Sequence, residues 1–180
     1  MKKTYTNGLV LLPGLLFLIL LLAGCPYSSE VPLAPPSGDM DGGLYGRWLL
    51  DSGDENPDYY EIGELDGISF TLEKYTYDSE DDMYSMDNGY TAWFTVIGDV
   101  RFMNVEDVDD RGTYYFYKLE MPSADSFILY EVTDNIDEVF TDSGTMYEFF
   151  DAYKNLSFFY NTDEEVYKRE VRKQGGSKTG

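Results

Sequence analysis

The sequence predicts a mostly β domain of about eight antiparallel strands in up-and-down order, with one late α-helix. Short segments rich in Tyr, Phe, Val, Ile and Thr recur from residue 44 and are separated by clusters of Asp, Gly, Asn and Ser, which is typical of strands joined by turns. In the third segment Ile68, Phe70 and Leu72 alternate with polar residues, which indicates one buried and one solvated face. Short hairpins such as the one at residues 98–99 favour a meander or a barrel.

The strands are predicted, in chain order, at residues 45–50, 59–62, 68–77, 90–97, 100–105, 113–119, 126–132 and 165–171. The helix is predicted because Met146, Phe149, Phe150 and Tyr153 recur at i, i+3, i+4 and i+7. Asp142 or Ser143 caps its start and Asn155 ends it.

Trp93 is out of phase with its neighbours Ala92 and Phe94, so its side chain is expected on the opposite face of the strand. We expect Phe149 or Phe150 of the predicted helix to cover it there.

The N-terminus has the pattern of a secretory signal: two lysines, an apolar run over 9–22 and small residues before a cysteine. The run has 14 residues, whereas a membrane-spanning helix needs about 20. Leu22, Ala23, Gly24 and Cys25 together resemble the lipobox of bacterial lipoproteins. This resemblance implies removal of residues 1–24 and a thioether-linked diacylglycerol on Cys25. The expected location is the cell envelope, with the protein lipid-anchored to the outer membrane on its periplasmic or its surface face.

Composition divides the rest of the chain into three parts. Residues 25–43 contain the lipidated cysteine and a segment rich in Pro, Ser and Gly, which predicts a flexible tether. Residues 44–172 form the β domain, and the polar, Gly-rich residues 173–180 are expected to be disordered.

The charge and the missing residue types exclude several classes of function. The net charge is −21 and becomes −23 when Lys2 and Lys3 leave with the signal, which disfavours nucleic acid as a partner. Without histidine and with one cysteine, the chain cannot build a Cys/His zinc site, a Ser–His–Asp triad or an internal disulfide. The sequence therefore predicts a non-enzymatic, monomeric domain without a cofactor, held at the membrane through lipid on Cys25.

Gly46, Arg47 and Trp48 in the first strand match the Gly-x-Trp signature of lipocalins, and the strand–helix–strand order is similar to theirs. The resemblance implies an eight-stranded barrel in which Trp48 closes one end beside an arginine, either Arg101 or Arg169. It also implies a small apolar or amphipathic ligand inside the barrel. An antiparallel sandwich or an open barrel stays the alternative. The whole pattern resembles small lipocalin-like lipoproteins of Bacteroidetes.

Two acidic clusters, at 78–82 and 106–110, lie in predicted loops. Oxygen ligands of this kind suit calcium, with Asp107, Asp109 and Asp110 as candidates, although solvated loop acids are the ordinary explanation.

Aromatic residues supply the alternative function. Tyr75 and Tyr77 are predicted on the solvated face of the third strand, and residues 114–117 put aromatic side chains on both faces of another. Exposed tyrosines of this kind would make the domain a surface interaction module that binds protein or glycan.

Overall fold

The computed structural model describes residues 26–38, 42–161 and 164–171, and it shows a closed, eight-stranded antiparallel barrel with one α-helix. The predicted mostly β, up-and-down barrel is confirmed. The strands are β1 (Ser28–Ser29), β2 (Gly46–Leu50), β3 (Tyr59–Glu64), β4 (Phe70–Asp78), β5 (Met83–Ile97), β6 (Val100–Asp107), β7 (Tyr114–Ser123), β8 (Ser126–Glu131) and β9 (Glu165–Arg169). Helix α1 spans Ser143–Tyr153, and 3-10 turns span Gly42–Leu44 and Ser157–Phe159.

Each strand from β2 to β8 pairs with the next, and β9 closes the barrel by pairing with both β8 and β2. One end, which we call the plug end, has the short connections at 65–69, 98–99 and 124–125. The other, the loop end, has the connections at 51–58, 79–82 and 108–113 and the long segment 132–164 that contains α1. The helix thus lies between the seventh and the eighth barrel strand.

Strand alternation builds two cores, one on each side of the barrel wall. The inner core is apolar and includes Trp48, Phe70 and Leu72. The outer core lies between the wall and the elements that cover it, and it includes Phe102 and Phe116 of the barrel. Because successive side chains of a strand point to opposite faces, β6 and β7 contribute to both cores.

Helix α1 packs on the outer core through Met146 and Phe150, both of which are buried. The Asp142 carboxylate accepts a hydrogen bond from the Thr145 backbone N–H at 2.8 Å, which identifies Asp142 as the N-cap. At the other end Lys154 is the C-cap, one residue before the predicted Asn155.

Residues 26–38 are not a flexible tether, and this part of the prediction is wrong. The segment, which we call the strap, crosses the outer wall: Ser28 and Ser29 pair with Tyr115 and Tyr114, and the Leu33 side chain is 0% exposed. The Leu33 N–H donates to the Asn104 side-chain oxygen at 2.9 Å. The strap docks because its apolar side chains enter the outer core. Its Pro, Ser and Gly content predicts only an extended backbone and does not show whether that backbone packs on the domain.

Trp93 lies on the outer face as predicted, but the strap covers it rather than Phe149 or Phe150. Its indole N–H donates to the Ala34 carbonyl at 2.8 Å, and its ring makes an edge contact with Tyr114. Phe150 packs against Phe102 and Phe116 instead.

Strand β5 begins seven residues before its predicted start at residue 90. Its first part pairs only with β4, so that the β4–β5 hairpin extends beyond β6 at the loop end. Residues 83–89 contain Asp, Asn and Gly, which are typical of loops, and the sequence therefore underestimates this strand. A register shift between Lys74 and Tyr75 interrupts the hairpin.

We expect Leu33→Ala to lower the free energy of unfolding by about 2–5 kcal/mol, because it leaves a cavity in a buried site. The matched control is Leu65→Ala, at a leucine that is 51% exposed, where a change within about 0.5 kcal/mol is expected. Urea unfolding followed by circular dichroism measures both variants. Equal, small effects of the two substitutions would show that the strap is a free tether.

Candidate functional site

Four predicted site residues, Leu22, Ala23, Gly24 and Cys25, lie outside the described residues, as does the predicted disordered tail. Within the described part of the chain, no helix is long and apolar enough to cross a membrane. The structure therefore describes the predicted barrel residues Gly46 and Trp48, whereas the lipid attachment site stays a prediction.

Trp48 fills the plug end. Its side chain is 0% exposed, its ring contacts Phe127, and its indole N–H donates to the Leu44 carbonyl at 2.8 Å. Of the two arginines that the sequence leaves open, Arg169 lies over the Trp48 ring, with its guanidinium carbon 4.1 Å from the ring centre. Arg101 lies over Phe94 instead.

The Arg169 guanidinium also ties three chain segments together at this end. It donates to the carbonyls of Tyr45, Gly43 and Ala124 and pairs with the Asp125 carboxylate. Gly46 lies beside it with a φ of 118°, a backbone conformation that favours glycine. The plug end is thus sealed by an aromatic ring and by a cation bound to backbone carbonyls.

The apolar half of the barrel interior is filled. The cavity bounded by residues such as Phe70, Met103 and Leu129 measures about 10 Å³. A single water molecule needs at least about 10–15 Å³ measured in this way, and a small-molecule site typically has several hundred. An apolar ligand would therefore fit in this half of the barrel only if side chains moved.

Toward the loop end the interior becomes polar, and tyrosines pack against the inner core. The Tyr167 hydroxyl donates to the Glu165 carboxylate at 2.8 Å, and the Tyr117 hydroxyl donates to the Glu131 carboxylate at 3.3 Å. Burial raises the pKa of the Tyr60, Tyr117 and Tyr167 hydroxyls, and these nearby carboxylates raise it further. The sequence analysis does not predict these inward-facing tyrosines, although the period-two alternation along β3, β7 and β9 is the signal that indicates them.

A second aromatic group lies on the outer wall near the loop end, and we call it the tyrosine patch: Tyr59, Tyr75, Tyr77 and Tyr84. The rings of Tyr59 and Tyr75 stack with their centres 4.7 Å apart, and Tyr84 makes edge contacts with Tyr59 and Tyr77. The structure thus brings the two tyrosines predicted on the solvated face, Tyr75 and Tyr77, into one cluster over β3, β4 and β5.

Carboxylates surround the tyrosine patch. The Tyr75 hydroxyl donates to Glu73 at 3.0 Å, and Tyr77 contacts Asp82 through its hydroxyl and Asp58 through its backbone N–H. Arg47 lies over the Tyr59 ring at 4.2 Å, but it is paired with Glu61 at 3.0 Å and Glu170 at 3.7 Å. The surface therefore combines aromatic rings with an excess of negative charge.

A groove of about 580 Å³ on the outer wall lies between the end of α1 and strands β6, β7 and β8. Two of its cations pair with carboxylates: Lys118 pairs with Glu120 at 2.9 Å and lies over the Tyr130 ring, and Lys154 pairs with Asp151. Arg101, the third cation of the lining, lies over the Phe94 ring.

The calcium candidates do not form a site. The Asp107 carboxylate accepts hydrogen bonds from the Asp109 N–H at 2.8 Å and from the Asn88 side chain at 2.9 Å, and the first of these is the main reason that its pKa is lowered. Among the residues described here, no three acidic side chains converge as metal ligands would. The Asp107 carboxylate thus fixes the turn, whereas Asp109 contributes its backbone N–H and Asp110 its backbone carbonyl, which accepts from the Thr113 N–H.

No family model, curated protein or solved structure matches this chain. The resemblances to lipoproteins and to lipocalins therefore stay predictions made from short motifs, whereas the barrel itself is observed.

The buried tyrosines predict a loss of stability in alkali. Below about pH 10 their stabilising effect is complete; above it the tyrosines of the unfolded chain ionise while the folded chain keeps its protons, so stability falls as the pH rises. Each such tyrosine contributes a slope of about 1.4 kcal/mol per pH unit. We expect Tyr117→Phe to reduce the slope by about that amount in urea unfolding series between about pH 10 and 12. Equal slopes would show that Tyr117 ionises while the protein is folded.

Proposed function

We propose that this protein is a lipid-anchored, non-enzymatic binding module of the cell envelope, which holds basic segments of partner proteins on its tyrosine patch. The observation that supports the proposal is the cluster of stacked tyrosine rings surrounded by the carboxylates of Asp58, Glu73 and Asp82. Lysine and arginine side chains gain from both groups, from ring faces through cation–π contacts and from carboxylates through charge.

Charge over the whole chain favours the same partner. With a net charge of −21 the protein attracts basic segments over a distance of about one Debye length and repels acidic ones. An exposed apolar side chain adjoins the tyrosine patch: Met86 on β5 faces Tyr75 across the hairpin and is 57% exposed. Flexible methionine side chains suit a surface that adapts to the aliphatic stems of lysine and arginine.

A small ligand inside the barrel is the other function that the sequence predicts, and the structure favours it less. The apolar half holds about 10 Å³, so such a ligand would have to occupy the polar half or displace side chains. In the tyrosine patch Tyr75, Tyr77 and Tyr84 are partly exposed on the outer wall, whereas Tyr59 is buried beneath Arg47 and supports the other rings.

Lipid attachment has a direct test. We expect the wild-type protein to incorporate labelled fatty acid in a bacterial host and to float with vesicles, because two or more buried acyl chains hold a protein stably at a membrane. Cys25→Ala should incorporate no label and stay in the aqueous fraction. A labelled or floating Cys25→Ala variant would refute attachment at this residue.

The tyrosine patch is tested with a lysine- and arginine-rich peptide as the probe. We expect Tyr75→Ala or Glu73→Gln to weaken binding about tenfold each, because the loss of one cation–π contact or charge contact is worth about 1–2 kcal/mol. Fluorescence anisotropy at low and high salt measures the affinity, which should fall as salt rises.

The matched control is Tyr147→Ala on α1, whose hydroxyl donates to the Val96 carbonyl away from the patch, and which should leave the affinity unchanged. Equal affinity of all four proteins would contradict the proposal. Binding of an oligosaccharide that is independent of salt and is lost in Tyr75→Ala would replace the basic partner by a glycan.

A further inference from the structure

We infer that the loop end of the barrel faces the membrane and that the plug end points away from it, because the docked strap leaves no spacer between the anchor and the domain. This inference rests on the proposed lipidation of Cys25.

The strap begins at the loop end. Pro26 forms an antiparallel bridge with Thr133, which lies two residues beyond the last residue of β8, and the Tyr27 N–H donates to the Val132 carbonyl at 2.9 Å. Ser28 and Ser29 then pair with the first two residues of β7. Cys25 is joined to Pro26 by a peptide bond. A lipid on Cys25 is therefore attached beside the loop end.

Contacts further along the strap keep it from acting as a spacer. The Tyr27 hydroxyl donates to the Glu138 carbonyl at 3.2 Å, and the Ser143 hydroxyl at the start of α1 donates to the Pro32 carbonyl at 2.6 Å. The Leu33 N–H and the Ala34 carbonyl bind Asn104 and Trp93 of the barrel wall. A free chain of about 20 residues would span roughly 25 Å and would allow every orientation. Because the strap is docked and its first residues lie at the loop end, only the loop end of the barrel can lie next to the bilayer.

The charges of the loop end define the lipid surface that it fits. Both acidic clusters, 78–82 and 106–110, lie in or beside loops of this end. At physiological salt they interact with headgroups within about 8 Å. An anionic surface would repel them, whereas a zwitterionic surface would not. The occupant of this face is therefore a zwitterionic bilayer, of which phosphatidylethanolamine with phosphatidylcholine is a suitable test case.

Two exposed residues report on the two ends. Val108 lies in the loop after β6 at the loop end, and Ile68 lies in the turn before β4 at the plug end; each is 42% exposed. The nine residues of β4 correspond to roughly 30 Å at about 3.3 Å per residue, less the tilt of the strand. Val108→Cys and Ile68→Cys form a matched pair for a fluorescent thiol label, because lipidation of Cys25 leaves no other thiol in the chain.

The experiment uses the full, lipidated protein in phosphatidylethanolamine/phosphatidylcholine vesicles that contain headgroup-labelled quencher lipids. We expect quenching of the label at residue 108 to be at least about threefold stronger than at residue 68, because quenching falls off steeply over the length of the barrel. A spacer of about 20 Gly and Ser residues inserted between Cys25 and Pro26 should make the two labels equal without loss of flotation.

Equal quenching at both positions in a floating protein without the spacer would overturn the orientation and leave lipidation intact. Stronger quenching at residue 68 would also overturn it. Failure of the wild-type protein to float, like Cys25→Ala, would overturn the proposed lipidation and the orientation together.

Discussion

The closure of the barrel by β9 is the interaction on which the rest of the structure depends. No disulfide is possible in a chain with one cysteine, so the first and the last barrel strands are held by pairing and packing alone. Trp48 faces Arg169 across this pairing, and Leu50 faces Tyr167. The Arg169 guanidinium stabilises this pairing further, because it lies over the Trp48 ring and donates hydrogen bonds to the carbonyls of Tyr45 and Ala124. Because ring and carbonyls also stabilise its charge, Arg169 pairs with a single carboxylate, that of Asp125. Together these contacts cover the plug end.

Three further cations among the described residues have partners within the protein, and this has a consequence for the outer surface. Arg47 lies over Tyr59, Lys118 over Tyr130, and Lys168 pairs with Asp51 at 2.6 Å. These cations contact rings and carboxylates of the protein itself. Because acidic residues far outnumber basic ones, many carboxylates have no cationic partner. The net negative charge disfavours anionic partners in general, and the carboxylates around the stacked tyrosines are the basis of the proposed preference for cations.

The sequence predicted the barrel well because a two-residue period is a local property. All eight predicted barrel strands are present, and the alternation at Phe70 and Leu72 placed both side chains in the inner core. The strap could not be predicted in the same way, because the docking of Leu33 depends on Asn104 and Trp93, which are distant in the chain. The choice between Arg101 and Arg169 also needed the pairing of β2 with β9, which no local pattern contains. Local patterns therefore found the strands, whereas long-range contacts decided where the site residues lie.

The filled interior and the docked strap together assign different roles to the parts of the domain. The apolar half of the barrel holds about 10 Å³, which fits the proposed role of a rigid scaffold that binds its partner on the outer wall. The strap pairs with β7, and β3, which carries Tyr59, is four strands away from β7 in the closed order of eight. The strap also crosses β6 and reaches Trp93 of β5, whereas the tyrosine patch lies on β3, β4 and the first part of β5. With Cys25 lipidated beside the loop end, the strap would leave the tyrosine patch uncovered and open to a partner that approaches along the membrane surface.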